Sequence, residues 1–501
     1  MVDYKDIQKR SINKRLGFLF KDSVIYGGGG AFAKLFSIFT VPVLTRIFSR
    51  AEFGIIDGIG IFASVFMPVM VMGMDSAIAR FFYETDDEER RKQIVSQGLL
   101  VELVLTVILS VSLYFNAGVL LKFFLGTDQY VALFRIVVPS MFLSVLVMFS
   151  QNLLKWTLAR NQYLLISLGT TIGTVFLTLF YVLVLDFGVA GVFLGHLTTN
   201  IFFGILGMFL VRDRITMPAS LEYIVPLVKF GWPSMVTALA SALVPSVDRY
   251  FISNYLNLGI LGIYSVGLKI SGLIQLPVLG FQTAWGPFAF AIYKEKDAGE
   301  TYDKVFLYYS ILLTLIALLI VVAAEPLVRL FASAKYLESI PIVFPLVFAV
   351  VVDSLSWISG IGIGLSKRTV YKIVSYAVAL VTSLITIRLL IVPFGLMGVV
   401  YGLLISKLAL TLSKTYFAYK LYPIRFNFKR VIPVVLSGFI GALFFRFFGF
   451  LRWYFQMGIG IVICIIFVLL MWIFFVIPED RRLLLAKVKE VMRSKGAVKK
   501  K

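Results

Sequence analysis

The chain has 501 residues, 59% of them hydrophobic and 15% charged, with a formal net charge of +21. A soluble globular chain carries about a quarter charged residues, and no soluble interior would hold this much apolar surface, so the excess must face lipid. With one cysteine, Cys464, and one histidine, His196, an intrachain disulfide framework and a metal centre of histidine or cysteine ligands are excluded.

Residues 1–22 are charged and lack a signal-peptide cleavage pattern, so they read as a cytoplasmic N-terminal segment. Apolar runs long enough to cross a bilayer, roughly 20 residues each, follow at 23–43, 54–79, 93–115, 131–157, 163–185, 189–211, 222–247, 259–285, 303–324, 340–364, 371–392, 395–419, 431–450 and 453–477. The expected fold class is therefore an all-α polytopic membrane protein with about fourteen spanning helices. The shorter apolar stretch 118–125 reads as interfacial. The tail 479–501 is basic and reads either as an amphipathic helix on an anionic membrane surface or as a solvated end.

Lysine and arginine fall mainly in alternate connections, on the side of the N-terminal segment. Examples are Lys9, Arg10, Arg90, Arg91, Lys92, Lys367 and Arg368. The positive-inside rule then puts both termini in the cytoplasm of a multi-pass protein of the cell (inner) membrane, which requires an even number of spans. Topology thus accounts for the basic charge, and no arginine-rich or aromatic RNA-binding motif suggests a nucleic-acid partner.

The chain also repeats. LARNQYLLIS at 158–167 matches LSKRTVYKIV at 365–374, and FGVAGVFLG at 187–195 matches FGLMGVVYG at 394–402. TRIF at 45–48 answers DRYF at 248–251, Pro68 answers Pro277, and Pro139 answers Pro345. Two six-helix bundles are expected, at 23–211 and 222–423, joined by a cytoplasmic linker at 212–221. Helices 13 and 14 at 424–478 lie outside the repeat. Bundles with an even number of spans insert in the same orientation. They are then related by an axis along the membrane normal, with a central cavity where they meet.

Ionisable residues inside spans are costly, about 2.5–3.5 kcal/mol at a helix centre, and should face protein or a wet space. The basic candidates for binding an anionic substrate are Lys34, Arg46, Arg80, Arg249, Lys269, Arg388 and Lys407. Arginine offers phosphate a bidentate fork and lysine a point charge. The acidic residues are Asp57, Asp75, Glu102, Asp248 and Asp353. Each has a plainer reading. Arg46, Arg135, Arg249 and Arg388 lie near helix ends and could snorkel to headgroups, and Asp353 with Lys407 could be a structural ion pair. Bends are expected at Pro68, Pro233, Pro245 and Pro277, with Gly231 beside Pro233 as a hinge. ETDDEERRK at 84–92 reads as a solvated, ion-paired loop rather than a metal site.

The run LTRIFSRAEFG at 44–54, with GMDSAIARFF at 73–82 and GVAGVFLG at 188–195, resembles the polysaccharide-export flippases. These are the Wzx-type O-antigen and capsule branch of the multidrug/oligosaccharidyl-lipid/polysaccharide superfamily. The resemblance covers helices 1 to 12. It departs from the family hallmark at Phe48, Ser49 and Arg50, where Leu-x-Pro is usual, and that change is expected to loosen the turn into helix 2. What the resemblance implies is translocation, without covalent chemistry or cofactor, of an undecaprenyl-pyrophosphate-linked or similar polyprenyl-linked oligosaccharide from the inner to the outer leaflet. It also implies coupling to H+ or Na+, for which Asp57, Asp353 and Glu102 are the candidate carriers. Polysaccharide polymerase machinery is a candidate partner. A multidrug/cation antiporter or a lipid II flippase of the same superfamily remains an alternative. A membrane polymerase fits less well, because the outer loops are short and no acid/base cluster is evident.

Overall fold

The structure is a computed structural model, and it describes residues 40–476, apart from 219, 296 and 367, together with Arg481. The N-terminal segment, Lys34, nearly all of the first expected span and almost all of the basic tail lie outside the described residues. Within them the chain is helical, with no strand. In order come α1 (Thr40–Ile47), α2 (Arg50–Val71), α3 (Met74–Glu84), α4 (Glu88–Phe115), α5 (Ala117–Leu125), α6 (Val131–Trp156), α7 (Arg160–Leu183) and α8 (Gly188–Val211). The second half comprises α9 (Ile224–Tyr255), α10 (Leu258–Ser271), α11 (Gln275–Ile292), α12 (Ala298–Val322), α13 (Ala324–Phe331), α14 (Ile340–Ser359), α15 (Ile361–Leu365) and α16 (Val370–Leu421). Two more helices follow, α17 (Phe428–Arg446) and α18 (Trp453–Phe474).

Twelve segments among the described residues are long and apolar enough to cross a membrane. One of them, α16, is double. At Gly395, with φ 55° and ψ −132°, the chain folds back into two antiparallel legs. Thr386 Oγ1 donates to Gly402 O at 3.2 Å and Ser406 Oγ to Ala379 O at 2.7 Å, which zips the legs together. A Cβ at Gly398 would lie 2.0 Å from Leu390 O, so only glycine permits so tight a return.

Large apolar side chains remain exposed along the spans. Phe176, Phe202, Leu389, Ile440 and Phe474 are examples, and they need a hydrocarbon surround. The α17–α18 pair uses one face only. Gly438 meets Thr314 and Gly460 meets Val322 on α12, while Ile432, Leu436, Ile440 and Ile465 point outward.

The second expected span is interrupted. Pro68 sits inside α2, but the break falls one turn later, where Met72 and Gly73 both adopt left-handed backbone and Met72 N–H returns to Pro68 O. Pro277, by contrast, stands just after a break, since a 3-10 turn at Gly272–Ile274 separates α10 from α11. Pro233 and Pro245 lie within continuous α9.

The turn into α2 is tight rather than loosened, which corrects the expectation from the hallmark departure. Ser49 caps the helix and Glu52 closes a reciprocal capping box, with Ser49 N–H donating to Glu52 Oε2 at 2.8 Å. The Ser-x-x-Glu pattern replaces what proline would have fixed.

The helices of the first half meet those of the second mainly through α2, which lies against α9 and α10. Glycines bring the backbones together. A Cβ at Gly54 would lie 2.1 Å from Leu258 O, and one at Gly262 would lie 2.0 Å from Arg50 O. Further along, a Cβ at Gly73 would lie 2.2 Å from Gly231 O. Gly54→Ala and Gly262→Ala should therefore each destabilise the protein by about 1–3 kcal/mol. Gly60→Ala, where a Cβ meets nothing within 4 Å, should be neutral or stabilising by about 0.5–1 kcal/mol. Thermal unfolding in detergent, followed by tryptophan fluorescence, checks the contrast.

Candidate functional site

Between the two glycine contacts the interface carries charge. Asp57 stands about two turns into α2, and Arg249 less than two turns before the end of α9. Arg249 Nε lies 3.1 Å from Asp57 Oδ2, joining the halves by an ion pair. Its Nη1 is 3.3 Å from Asp248 Oδ1 and donates to Pro245 O at 2.6 Å. Asp248 is fully buried and accepts a hydrogen bond from the Tyr264 hydroxyl on α10. The guanidinium is thus held by two carboxylates and a carbonyl, a geometry that offsets the desolvation of a buried cation.

Beside this network lies a cavity of about 330 Å³ lined by Phe53, Asp57, Gly60, Ser64, Arg249 and Lys269, among others. Lys269 is eleven residues into α10, which at 1.5 Å per residue is about 16 Å from the helix start. It is exposed to this space. Its Nζ lies 5.4 Å from the centre of the Phe53 ring, and it forms no ion pair among the described residues. The cavity therefore holds one satisfied cation, Arg249, and one cation with donors to spare, Lys269. That arrangement suits a small anion, since ammonium donors gain charge-assisted hydrogen bonds to phosphate oxygens. The depth matters as well, because a cation at that level needs an anion or water.

The structure brings together Asp57, Arg249 and Lys269 from the expected site residues. The others stand elsewhere. Arg46 is exposed at the end of α1, donating to Pro42 O at 2.7 Å and Leu330 O at 3.1 Å. Arg80 pairs with Glu84 at 3.0 Å and lies over Phe230. Arg388 is exposed and stacks on Tyr255. Lys407 pairs with Asp353 at 3.0 Å between α16 and α14, inside the second half. Glu102, on α4, is 3% exposed, and its charged neighbour is another carboxylate, Asp75. Gly231 sits in the backbone contact with Gly73, and Pro68 lies beyond Ser64 on α2. In the 84–92 run the charges pair locally, Arg90 with Asp87, Arg91 with Asp86 and Lys92 with Glu89. No cluster of three metal-ligating side chains occurs among the described residues. Sequence reasoning missed Phe53 and Tyr264. In so apolar a chain an aromatic at a lined position looks like any other core residue.

The model of a family described as polysaccharide biosynthesis protein matches residues 43–341. An uncharacterized membrane protein of Haemophilus influenzae is 25% identical over 289 residues, which cover 55% of this chain and 66% of the relative, just under two thirds of its length. The fold is similar to that of lipid II flippase MurJ in an inward closed conformation, with a TM-score of 0.71 at 16% identity over 90% of this chain and 99% of that one. It is also similar to an inward-facing multidrug resistance MATE family transporter of the MOP superfamily, with a TM-score of 0.60 at 18% identity over 78% of this chain and 97% of that one. At these identities the likeness to the two structures is one of fold, and it extends across both halves. The match to the family model covers more than half the sequence and includes the α2, α9 and α10 segments that build the charged cavity, so the chain belongs to the polysaccharide biosynthesis protein family.

Proposed function

We propose that this protein is a flippase that turns a polyprenyl-pyrophosphate-linked oligosaccharide repeat unit from the inner to the outer leaflet, by alternating access at the seam between α2 and α9–α10. The observation that carries the reading is Lys269, an ammonium group deep in an inter-half cavity, exposed to it and without a carboxylate partner among the described residues. A volume of about 330 Å³ suits a pyrophosphate and part of a sugar, but not a long prenyl tail. The tail would stay in lipid. A largely apolar groove of about 510 Å³ beside α15, α16 and α17, lined by Leu412, Tyr416, Tyr419 and Phe428 with Arg425 among them, offers one such path. The basic ends of the helices, with Arg90, Arg214 and Arg430, face the cytoplasm in this reading, and α1–α2 turns at the outer side. The two halves act as the rocking bodies. Polysaccharide polymerase machinery would receive the product.

A lumen that handles a lipophilic cation would need a carboxylate left open to it. Here Asp57 is engaged by Arg249, which favours an anionic cargo over drug export. The same engagement bears on ion coupling. Asp57 and Asp353 are each held by a cation, at 3.1 and 3.0 Å, and a carboxylate so paired is a poor proton carrier. Glu102 is buried without an ion pair among the described residues and is the better candidate, with H+ as the coupling ion.

Two outcomes test these assignments in proteoliposomes, using a leaflet-accessibility assay with undecaprenyl-pyrophosphate-linked oligosaccharide. Lys269→Ala should slow transport about 10- to 100-fold, since a hydrogen bond to a charged group is worth about 1.5–3 kcal/mol, while Lys269→Arg retains most of it. Unchanged transport in Lys269→Ala would take this cavity off the substrate's route. Glu102→Gln should leave slow equilibration between leaflets intact and abolish its acceleration by a pH gradient. Acceleration equal to that of the parent protein would exclude Glu102 as the carrier.

A further inference from the structure

At the α1–α2 end the two halves are joined by a set of polar contacts that the cavity alone does not require. The end of α1 and the turn after it come from the first half. The end of α13 and the 3-10 turn Ala334–Ser339 come from the second. Thr45 Oγ1, fully buried, donates to Ala332 O at 2.6 Å, and Arg46 Nη2 donates to Leu330 O at 3.1 Å. Lys335 Nζ donates to Phe48 O and, at 3.4 Å, to Arg46 O. Arg50 Nη2 lies 2.9 Å from Glu338 Oε1. The carbonyls that Lys335 reaches are at the end of α1 and just past it, where helix carbonyls have no N–H donors of their own helix and favour a cation. One half therefore supplies the helix cap of the other.

Immediately beneath this set lies Phe53, 2% exposed. Its ring meets the buried Tyr336 ring edge-on at 5.9 Å, and Lys269 Nζ stands over it on the cavity side at 5.4 Å. Phe53 is thus in contact both with the segment that caps α1 and with the cation of the cavity.

We infer that residues 45–53 and 330–338 form the outer gate of the transporter, and that Phe53 links the gate to the occupancy of Lys269. The ligand class at Lys269, a lipid diphosphate, rests on the flippase reading above. The gate rests on that reading only for transport and for which side is outside, not for the ligand. The polar joints in it are hydrogen bonds and an ion pair whose groups water can satisfy, and parting them uncovers the Phe53–Tyr336 contact, which is the part of the gate that the ligand must loosen. In the closed arrangement Lys269 is drawn to the Phe53 ring. A diphosphate competes for the same ammonium. Its stronger charge-assisted contacts withdraw Nζ from the ring and remove one of the interactions that hold Phe53 against Tyr336. The ligand thereby binds the open arrangement better than the closed one, which is the differential affinity that a population shift requires. Phe53 is a positioning residue in this scheme.

The test uses the full chain in proteoliposomes, in a Cys464→Ser background. Arg50→Cys with Glu338→Cys places two thiols across the gate. Oxidising the pair should abolish labelling of Ser64→Cys, in the cavity, by a membrane-impermeant maleimide added outside, and a reductant should restore it. Labelling at the unoxidised rate despite complete cross-linking would overturn the gate, and this readout needs no substrate. Phe48→Cys, buried under the gate in the parent, reads the link. Undecaprenyl pyrophosphate should raise its labelling rate by about threefold or more, corresponding to a shift of a two-state population by a modest preferential affinity. Phe53→Leu should leave that rate flat while still binding the lipid, and Phe53→Tyr should restore the response. A full response in Phe53→Leu would overturn the link. If the parent gate responds to the lipid but no lipid-linked glycan crosses the bilayer, the flippase reading fails and the gate stands.

Discussion

The ion pair between Asp57 and Arg249 is the constraint around which the interface is organised. A bare charge at that depth in a bilayer is costly, so each partner needs the other or water. Because they belong to different halves of the chain, the halves cannot separate there in a dry state. In the proposed alternating access, opening and hydration would be one event. Asp248 and Tyr264 reinforce this, since they keep Arg249 solvated by protein on the second-half side when Asp57 withdraws. The cation that stays available is Lys269, and its freedom depends on Arg249 having absorbed the local negative charge.

On either side of the pair the seam is made of glycine. Gly54 with Gly262, and Gly73 with Gly231, bring backbone against backbone with almost no side chain between them. Small residues give close packing in a membrane, where no hydrophobic driving force separates a helix from lipid. Between the glycines, Ile55 and Ile59 of α2 share one apolar core with Phe251 of α9 and Leu261 of α10. The contrast is with the contact between α14 and α17, where Phe344 and Phe348 mesh with Phe439 and ring centroids stand 4.7–5.5 Å apart. Such a core transmits motion as a body and does not yield within itself.

Much of this was legible in the sequence, for a physical reason. Spanning helices must be about 20 apolar residues long whatever their neighbours, so their positions can be read locally. The intramembrane charges stand out against an apolar background for the same reason. Pairing is another matter. Asp57 and Arg249 are 192 residues apart, and nothing in one sequence says which cation meets which acid. Lys407 with Asp353 was legible as a pair because both sit at mid-span in neighbouring helices of one half. The gate was hidden in the hallmark itself. Thr45 and Arg46 could be recognised as part of a motif, but their partners Ala332 and Leu330 contribute backbone carbonyls, which leave no trace in residue identity. The Ser49–Glu52 capping box did have a sequence signal, Ser-x-x-Glu, and it was masked by attention to the missing proline.

The two ends of the seam are closed by different physics. At the α1–α2 end the joints are mainly polar, cations on carbonyls and on the Glu338 carboxylate, with Phe53 edge-on to Tyr336 beneath them. At the other, Gly73 on Gly231 is flanked by Phe81 edge-on to Phe230, with Arg80 lying over the same ring. A polar joint is exchanged for water at little net cost, because protein–protein and protein–water hydrogen bonds are nearly equal in free energy. An aromatic joint has no such substitute in water, but it does in hydrocarbon, where a lipid chain replaces the lost ring contacts. In the proposed flippase reading, an amphiphile with a charged head and a long apolar tail would therefore part the aromatic end as it enters from the membrane, and leave through the polar end when its head is rehydrated. In that reading the asymmetry would give the two ends different sensitivities to the same molecule, and so a preferred order of opening that follows from the chemistry of the proposed cargo.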